Sequence, residues 1–369
     1  LTDAEYFQIQ SLYYFIFCGL ELPTGFFADR WGYKLSLMSA AVVMAASNLV
    51  AIFWTSFSGF LIHFIMIALA RSLTSGAGSA YLYESMKNAN QVHLYKKAEA
   101  TSRTYELVFR IFGWSVAGFL MGFHQTLPYW LTAVMCLVAF CFAYQLPKLE
   151  LPSTPIGQNI RLSIWQEVVD RLRPIPTLLH QNRRLFWLMF LGVGIFVLAR
   201  LMQVNLYQPI LKAKEFNVSA FGWVMGLMTV AEALGASQSQ RVSQWMSDLT
   251  VVWLSTTGLS VSLAFVPFGQ GVGVITALLF FAFFSGVAFP QQRQLLNDAI
   301  TEGKYRATLL SFESICNRAI CAFAALAAGY YVAAGQIWNF LLGSAILSAI
   351  LITAVTWRVR YLSSSSNAR

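Results

Sequence analysis

The chain has 369 residues, of which 57% are hydrophobic and 11% are charged, and its formal net charge is +9. Soluble domains carry about a quarter charged residues, so this composition excludes an ordinary soluble fold. Membrane proteins gather lysine and arginine in the loops on the cytoplasmic side. We therefore attribute the positive charge to that rule rather than to a nucleic-acid partner.

Eleven apolar stretches succeed one another along the chain. At a rise of about 1.5 Å per residue, roughly 20 residues cross a hydrocarbon core about 30 Å thick. The predicted spans are 5–27, 35–54, 58–83, 102–124, 128–146, 185–211, 217–238, 250–268, 271–290, 305–333 and 338–357. The predicted fold class is all-α, a polytopic membrane protein. Because Leu1 opens a short polar piece ahead of a span, we expect one earlier helix to be missing from this sequence.

The loops between the spans set the expected orientation. When the loop at 25–34 is placed in the cytoplasm, nearly all loop lysines and arginines fall on that side, and the outer loops hold only Lys212 and Lys214. This distribution obeys the positive-inside rule. We predict a bacterial-type inner (plasma) membrane protein whose 25–34 loop and long linker are cytoplasmic.

The longest polar segment divides the chain into two halves. It contains a short amphipathic helix in which Ile164, Val168 and Leu172 recur every four residues. The predicted domains are an N-terminal bundle at 1–146, a cytoplasmic linker at 147–184 and a C-terminal bundle at 185–369. Two bundles of six helices, one helix being absent here, are typical of secondary transporters.

The stretch GFFADRWGYK, from Gly25 to Lys34, places charges and two glycines between apolar spans. Gly25 permits close approach of backbones, and Gly32 permits a tight turn before the next span. With ELPTG ahead of it, the stretch resembles the signature loop G-x-L-A-D-R-x-G-R-K between helices 2 and 3 of the major facilitator superfamily. Tyr33 departs from the basic residue usual there. ALARSLTSGAGSA (68–80) and YRATLLSFES (305–314) resemble that family's helices 4 and 11.

The resemblance implies the superfamily fold, two pseudo-symmetric bundles with 11 of 12 helices present. It also implies a gate. Asp29 would meet the positive N-terminus of the helix at Arg306 and hold the cytoplasmic side shut, supported by Arg30, Lys34 and Glu84. The alternative is that this loop only sets the topology.

Ionisable side chains inside spans are costly and are functional candidates. Glu106 and Arg110 lie one turn apart and can pair, and Arg200 shares a helix stripe with Gln203 and Tyr207. The predicted substrate and proton cavity contains Glu21, Arg71, Glu106, Arg110, Arg200, Gln203, Tyr207, Glu232, Glu313, Asn317 and Arg318. The fixed positive charge of its four arginines, beside four glutamates, favours an anionic or zwitterionic, partly apolar substrate.

Proton coupling requires a carboxylate that burial and a nearby arginine can switch between protonation states. Glu232 and Glu313 are the first candidates and Glu21 is the next. The alternative for each is a structural salt bridge between helices. His63, also inside a span, is expected to make a satisfied polar contact.

The sequence carries no catalytic, cofactor or metal-ligand motif, so we predict neither an enzyme nor a cofactor. We predict a monomeric secondary transporter of a small organic solute that works by alternating access and is coupled to protons. Export is favoured over import, because the cavity combines charge with many aromatic residues. An importer of a siderophore, amino-acid or sugar derivative and a non-transporting receptor of the same fold remain open.

Overall fold

The computed structural model describes residues 1–75, 77–149, 173, 175–300 and 306–367. Two compact units divide the chain. The first unit contains residues 1–109 and 119–170, and the second contains residues 110–118 and 171–369. Every regular element in the described residues is helical.

The first unit is built on α1 (Asp3–Trp31), α2 (Tyr33–Phe53), α3 (Phe57–Thr74), α4 (Ala77–Asn88), most of α5 (Tyr95–Met121) and α6 (Leu127–Gln145). Helix α1 begins at a capping box between Thr2 and Glu5 and ends at Gly32, whose φ of 96° favours glycine. Helix α2 begins at the next residue. The sequence-predicted tight turn at Gly32 is therefore confirmed, and the turn consists of that one residue.

Short polar contacts join the helices of the first unit. The hydroxyls of Thr24 and Ser72 lie 2.6 Å apart, and Ser36 Oγ donates to the carbonyl oxygen of Leu73 at 2.7 Å. His63 is buried, and its Nδ1 lies 2.7 Å from the carbonyl oxygen of Ser47. The prediction of a satisfied polar contact for His63 is confirmed.

The span predicted at 58–83 lies within Phe57–Asn88, which is long and apolar enough to cross a membrane, but it is built from two helices. Helix α3 ends at Thr74, and Ser75 has an extended backbone with φ −61° and ψ 112°. Helix α4 begins at Ala77. Serine and glycine are poor helix formers. The small residues around Ser75 therefore permit an interruption of the helix, even though the stretch as a whole is apolar.

The second unit contains α7 (Ile175–Gln181), α8 (Arg183–Leu201), a π-helical turn (Met202–Leu206), α9 (Tyr207–Ala213), α10 (Val218–Ser243), α11 (Asp248–Phe265), α12 (Val272–Ala299), α13 (Arg306–Ala333) and α14 (Ile337–Asn367). Its core cluster includes Leu188, Ile195 and Leu296. At one end Lys214 Nζ donates to the carbonyl oxygens of Pro267 and Gly269, each at 2.7 Å, and lies 4.5 Å from the ring centroid of Trp338. One ammonium group thus joins the ends of three helices.

Nine helical segments of the described chain are long and apolar enough to cross a membrane. Helices α1 and α5, which we predicted as spans, are formed but are not among the nine. Both carry several charged residues, including Asp3 and Glu5 in α1 and Glu106 and Arg110 in α5. The all-α membrane fold is confirmed, and the count of eleven spans stays a prediction.

Candidate functional site

A polar cluster in the second unit brings together three of the predicted cavity residues. Gln203 Nε2 donates to Glu232 Oε2 at 2.8 Å, and Arg110 Nη2 lies 3.9 Å from the same oxygen. The side chains of Arg110 and Glu232 are 31% and 29% exposed, so solvent reaches the pair. The structure pairs Arg110 with a carboxylate on another helix, a contact that spacing along one helix could not predict.

The π-helical turn shapes one side of this cluster. Gln203 lies within the turn and Tyr207 directly follows it. Tyr207 is buried, close enough to Glu232 for a charge interaction, and its hydroxyl has no hydrogen-bond partner in the described structure. Arg200 lies in the last turn of α8, directly before the π-helical turn. It is close enough to Cys321 of α13 for a charge interaction.

Sequence analysis missed Asn205 in the same π-helical turn. Its side chain is 1% exposed, and neither amide atom has a hydrogen-bond partner among the described residues. A buried carboxamide without partners is costly and often marks a place for water or a ligand. A π turn has no recognisable sequence signal, so this residue could not be singled out beforehand.

Glycines hold residues 110–118 against α10. A Cβ atom added at Gly118 would lie 2.9 Å from Gly222 Cα, and one added at Gly222 would collide with the carbonyl oxygen of Trp114. Small residues thus let these two segments pack closely. The contact matters for the site because Arg110 and Glu232 lie on these two segments, and it fixes their separation.

A second cluster surrounds Glu313, which is 2% exposed. Arg293 Nη1 lies 2.7 Å from Glu313 Oε2, while the arginine side chain itself is 44% exposed. A Cβ atom added at Gly192 would collide with Gln292 Nε2 and lie 2.7 Å from Glu313 Oε1. Three helices, α8, α12 and α13, therefore enclose one carboxylate that a half-exposed arginine connects to solvent.

The pairing of Arg293 with Glu313 was not predicted from the sequence. Helix α12 continues to Ala299, well beyond the apolar span predicted to end at residue 290, and it carries Arg293 onto Glu313. Hydropathy marks where the apolar run stops rather than where the backbone leaves the helix. The predicted alternative for Glu313, a salt bridge between helices, is what the geometry contains.

Two further cavity candidates lie beyond Glu313 on α13. Asn317 is 7% exposed, and its Oδ1 atom has no hydrogen-bond partner in the described structure. Arg318 Nη1 donates to Ser314 Oγ at 2.9 Å, and it lies near Cys321 together with Arg200. This part of the second unit therefore holds two arginines near one buried thiol.

The candidates of the first unit are more open. Glu21 is half-buried, whereas Arg71, in the last turn of α3, and Glu106 are exposed. Glu21 lies on α1, Arg71 on α3 and Glu106 on α5.

The predicted gate is only partly described. Arg30 lies over the ring of Trp31, Lys34 Nζ lies 5.3 Å from the ring centroid of Tyr144, and Glu84 pairs with Lys87 at 3.7 Å. No described atom lies within 4 Å of a Cβ atom added at Gly25, so the close approach expected there is not seen. The side chains of Asp29 and Arg306 lie outside the described residues, as does the amphipathic helix predicted in the linker.

Within the described ranges, no group of three or more histidine, cysteine, aspartate or glutamate side chains could hold a metal ion. The clusters around Glu232 and Glu313 instead offer charged and hydrogen-bonding groups. Such groups can bind a polar solute or a proton.

Comparison with known proteins identifies the fold. Residues 2–325 match the family described as the Major Facilitator Superfamily. The solved structure of the nucleoside transporter NupG is 16% identical, with a TM-score of 0.76 over 96% of this chain and 90% of that chain. A D-xylose-proton symporter is 13% identical, with a TM-score of 0.72 over 95% of this chain and 88% of that chain.

A POT family transporter solved with 5-aminolevulinic acid is 10% identical, with a TM-score of 0.77 over 97% of this chain and 89% of that chain. No curated protein sequence matches the chain. The resemblance read from the 25–34 loop is confirmed, as is the prediction of a transporter fold rather than an enzyme.

Proposed function

Because this chain belongs to the major facilitator superfamily, we propose that it moves a small organic solute across the membrane by alternating access, coupled to protons. The observation that carries the proposal is the Arg110–Glu232–Gln203 cluster, a charged and solvent-accessible group inside an apolar helical unit. Charged side chains among membrane-spanning helices are costly in free energy, and they commonly mark a binding site or a path for ions or protons.

The unsatisfied groups of the cluster favour a zwitterionic solute. Arg110 Nε and the Tyr207 hydroxyl are buried donors without partners in the described structure. Both can donate to a carboxylate, while Glu232 can accept from an ammonium group. A zwitterion satisfies both ends, whereas a simple cation leaves the two donors unsatisfied.

For proton coupling we favour Glu313. Its carboxylate is enclosed, and half-exposed Arg293 joins it to solvent. Protonation of Glu313 would release Arg293, and departure of Arg293 would favour protonation, because burial penalises the charged form. Glu232 is the second candidate. A related fold is found in the D-xylose-proton symporter, which supports coupling to protons as the first hypothesis to test.

The inner gate is proposed to depend on Asp29, as the superfamily signature implies. Asp29→Asn keeps the size of the side chain and removes its charge. We expect transport to be lost while expression and membrane insertion are retained. Transport at the original rate in Asp29→Asn would leave the loop with a topological role only.

The test is uptake into proteoliposomes with an imposed pH gradient, with and without a protonophore, across a panel of drugs, siderophores and amino-acid derivatives. Saturable accumulation that the protonophore abolishes supports a coupled transporter. Flux that ignores the protonophore removes the proton coupling, and the absence of saturable flux favours a receptor. Running the gradient in both directions separates export, which we favour, from import.

The binding cluster has its own control. Arg110→Gln removes the charge that faces Glu232, and we expect KM to rise at least tenfold. Arg241→Gln removes an exposed arginine that donates a hydrogen bond to Gln238 in its own helix. It is expected to leave KM unchanged, and an equal effect of both variants would remove Arg110 from the binding site.

A further inference from the structure

An apolar groove in the first unit lies outside both charged clusters. It has a volume of about 410 Å³ and is bounded by α2, α3 and α6. Its lining includes five alanines, Ala40, Ala41, Ala70, Ala139 and Ala143. Alanines on three adjacent helices leave a trough that their own side chains do not fill.

One end of the groove lies close in sequence to two basic residues, Lys34 and Lys148. Its lining includes Leu37 near the start of α2, Thr74 at the end of α3 and Leu146 just after α6. Lys34 lies beside this end, because its Nζ atom is 5.3 Å from the ring centroid of Tyr144. Lys148 is exposed two residues after Leu146. A long apolar trough thus ends at two cations.

We propose that this groove binds one acyl chain of an anionic phospholipid, whose phosphate group contacts Lys34 and Lys148. A basic pocket between transmembrane helices is a recognised place for an anionic headgroup. The acyl chain alone gives little preference for the groove over the bilayer, because the surrounding lipid is as apolar as the groove. Selectivity therefore comes from the headgroup, at about fivefold for each lysine near the membrane surface. The groove contains none of the proposed cavity residues, and Lys148, unlike Lys34, is not part of the proposed gate.

The test uses the full chain in nanodiscs that contain equal amounts of phosphatidylglycerol and phosphatidylcholine, followed by release into the gas phase and native mass spectrometry. We expect retained lipid to be enriched in phosphatidylglycerol by about fivefold or more. Lys148→Gln is expected to lower the enrichment about fivefold while total retained lipid stays the same. Equal retention of the two lipids, in the wild type, would overturn the proposal.

Filling the groove tests the acyl chain separately. Ala139→Trp places a large ring in the trough from an exposed position on α6, and it is expected to reduce retention of both lipids at least threefold. Leu137→Trp, on the same helix at a residue 54% exposed and outside the groove lining, is the matched control. Ala139→Leu serves if the larger substitution prevents folding. Equal losses at positions 137 and 139, or a protein dimer in place of bound lipid, would contradict the assignment.

Discussion

Glu106 in the first unit and Glu313 in the second occupy equivalent places in two similar segments. Ala100-Thr101 and Ala307-Thr308 stand at the same distance before them, and an aromatic residue directly precedes each glutamate. Yet Glu106 is exposed, whereas Glu313 is 2% exposed and bound to Arg293. The same local sequence thus produces an open carboxylate in one unit and an enclosed one in the other.

The difference originates in neighbouring helices rather than in the glutamate segments. Glu313 is enclosed because α12 supplies Gln292 and Arg293, and because Gly192 on α8 leaves space for both side chains. A carboxylate in this position depends on its ion pair, since a buried charge without a partner is costly. An exposed carboxylate is also accessible to water, so it depends less on any one partner.

The largest effect is expected from Arg293→Gln. It leaves the Glu313 carboxylate buried without its cation, and we expect the free energy of unfolding to fall by about 2–3 kcal/mol. Solvent reaches the half-exposed arginine, so the loss should be smaller than for a fully buried pair. Chemical denaturation in detergent measures the change.

The double variant Arg293→Gln/Glu313→Gln removes both charges and should recover most of that stability. If the double variant is as unstable as Arg293→Gln alone, the buried charge is not the cause of the loss.

A similar or smaller loss is expected from Gly192→Ala, because the added methyl group collides with Gln292 Nε2 and crowds Glu313 Oε1. Overpacking of this kind costs about 1–3 kcal/mol. Gly194→Ala is a matched control two residues away, since no described atom lies within 4 Å of its added Cβ atom. Thermal unfolding of the two variants side by side should separate them, and equal melting temperatures would mean that the Glu313 enclosure tolerates the methyl group.

The smallest effect is expected from Glu106→Gln. The side chain is exposed, so the free energy of unfolding should change by less than about 0.5 kcal/mol. A loss as large as that of Arg293→Gln would show that Glu106 is enclosed in the folded protein much as Glu313 is, and the contrast between the two units would disappear.

Much of the architecture is readable from the sequence because hydropathy and turn chemistry are local. The apolar runs locate the helices, and Gly32 marks the turn after α1, since only glycine adopts its backbone angles easily. The partners of the buried charges are not local. The Arg293–Glu313 and Arg110–Glu232 pairs were not predicted, because each joins residues that are far apart in sequence and lie on different helices.

The contacts of Lys214 restrict how the helix ends of the second unit can move. Its ammonium group holds the chain after α9, the carbonyls that follow α11 and the indole near the start of α14. None of these three helix ends can move apart from the others unless the contacts of Lys214 break. These three helix ends are therefore expected to move together. A motion that keeps the Lys214 contacts must bend the helices elsewhere, for example at the π-helical turn, where the backbone already departs from the α-helical pattern.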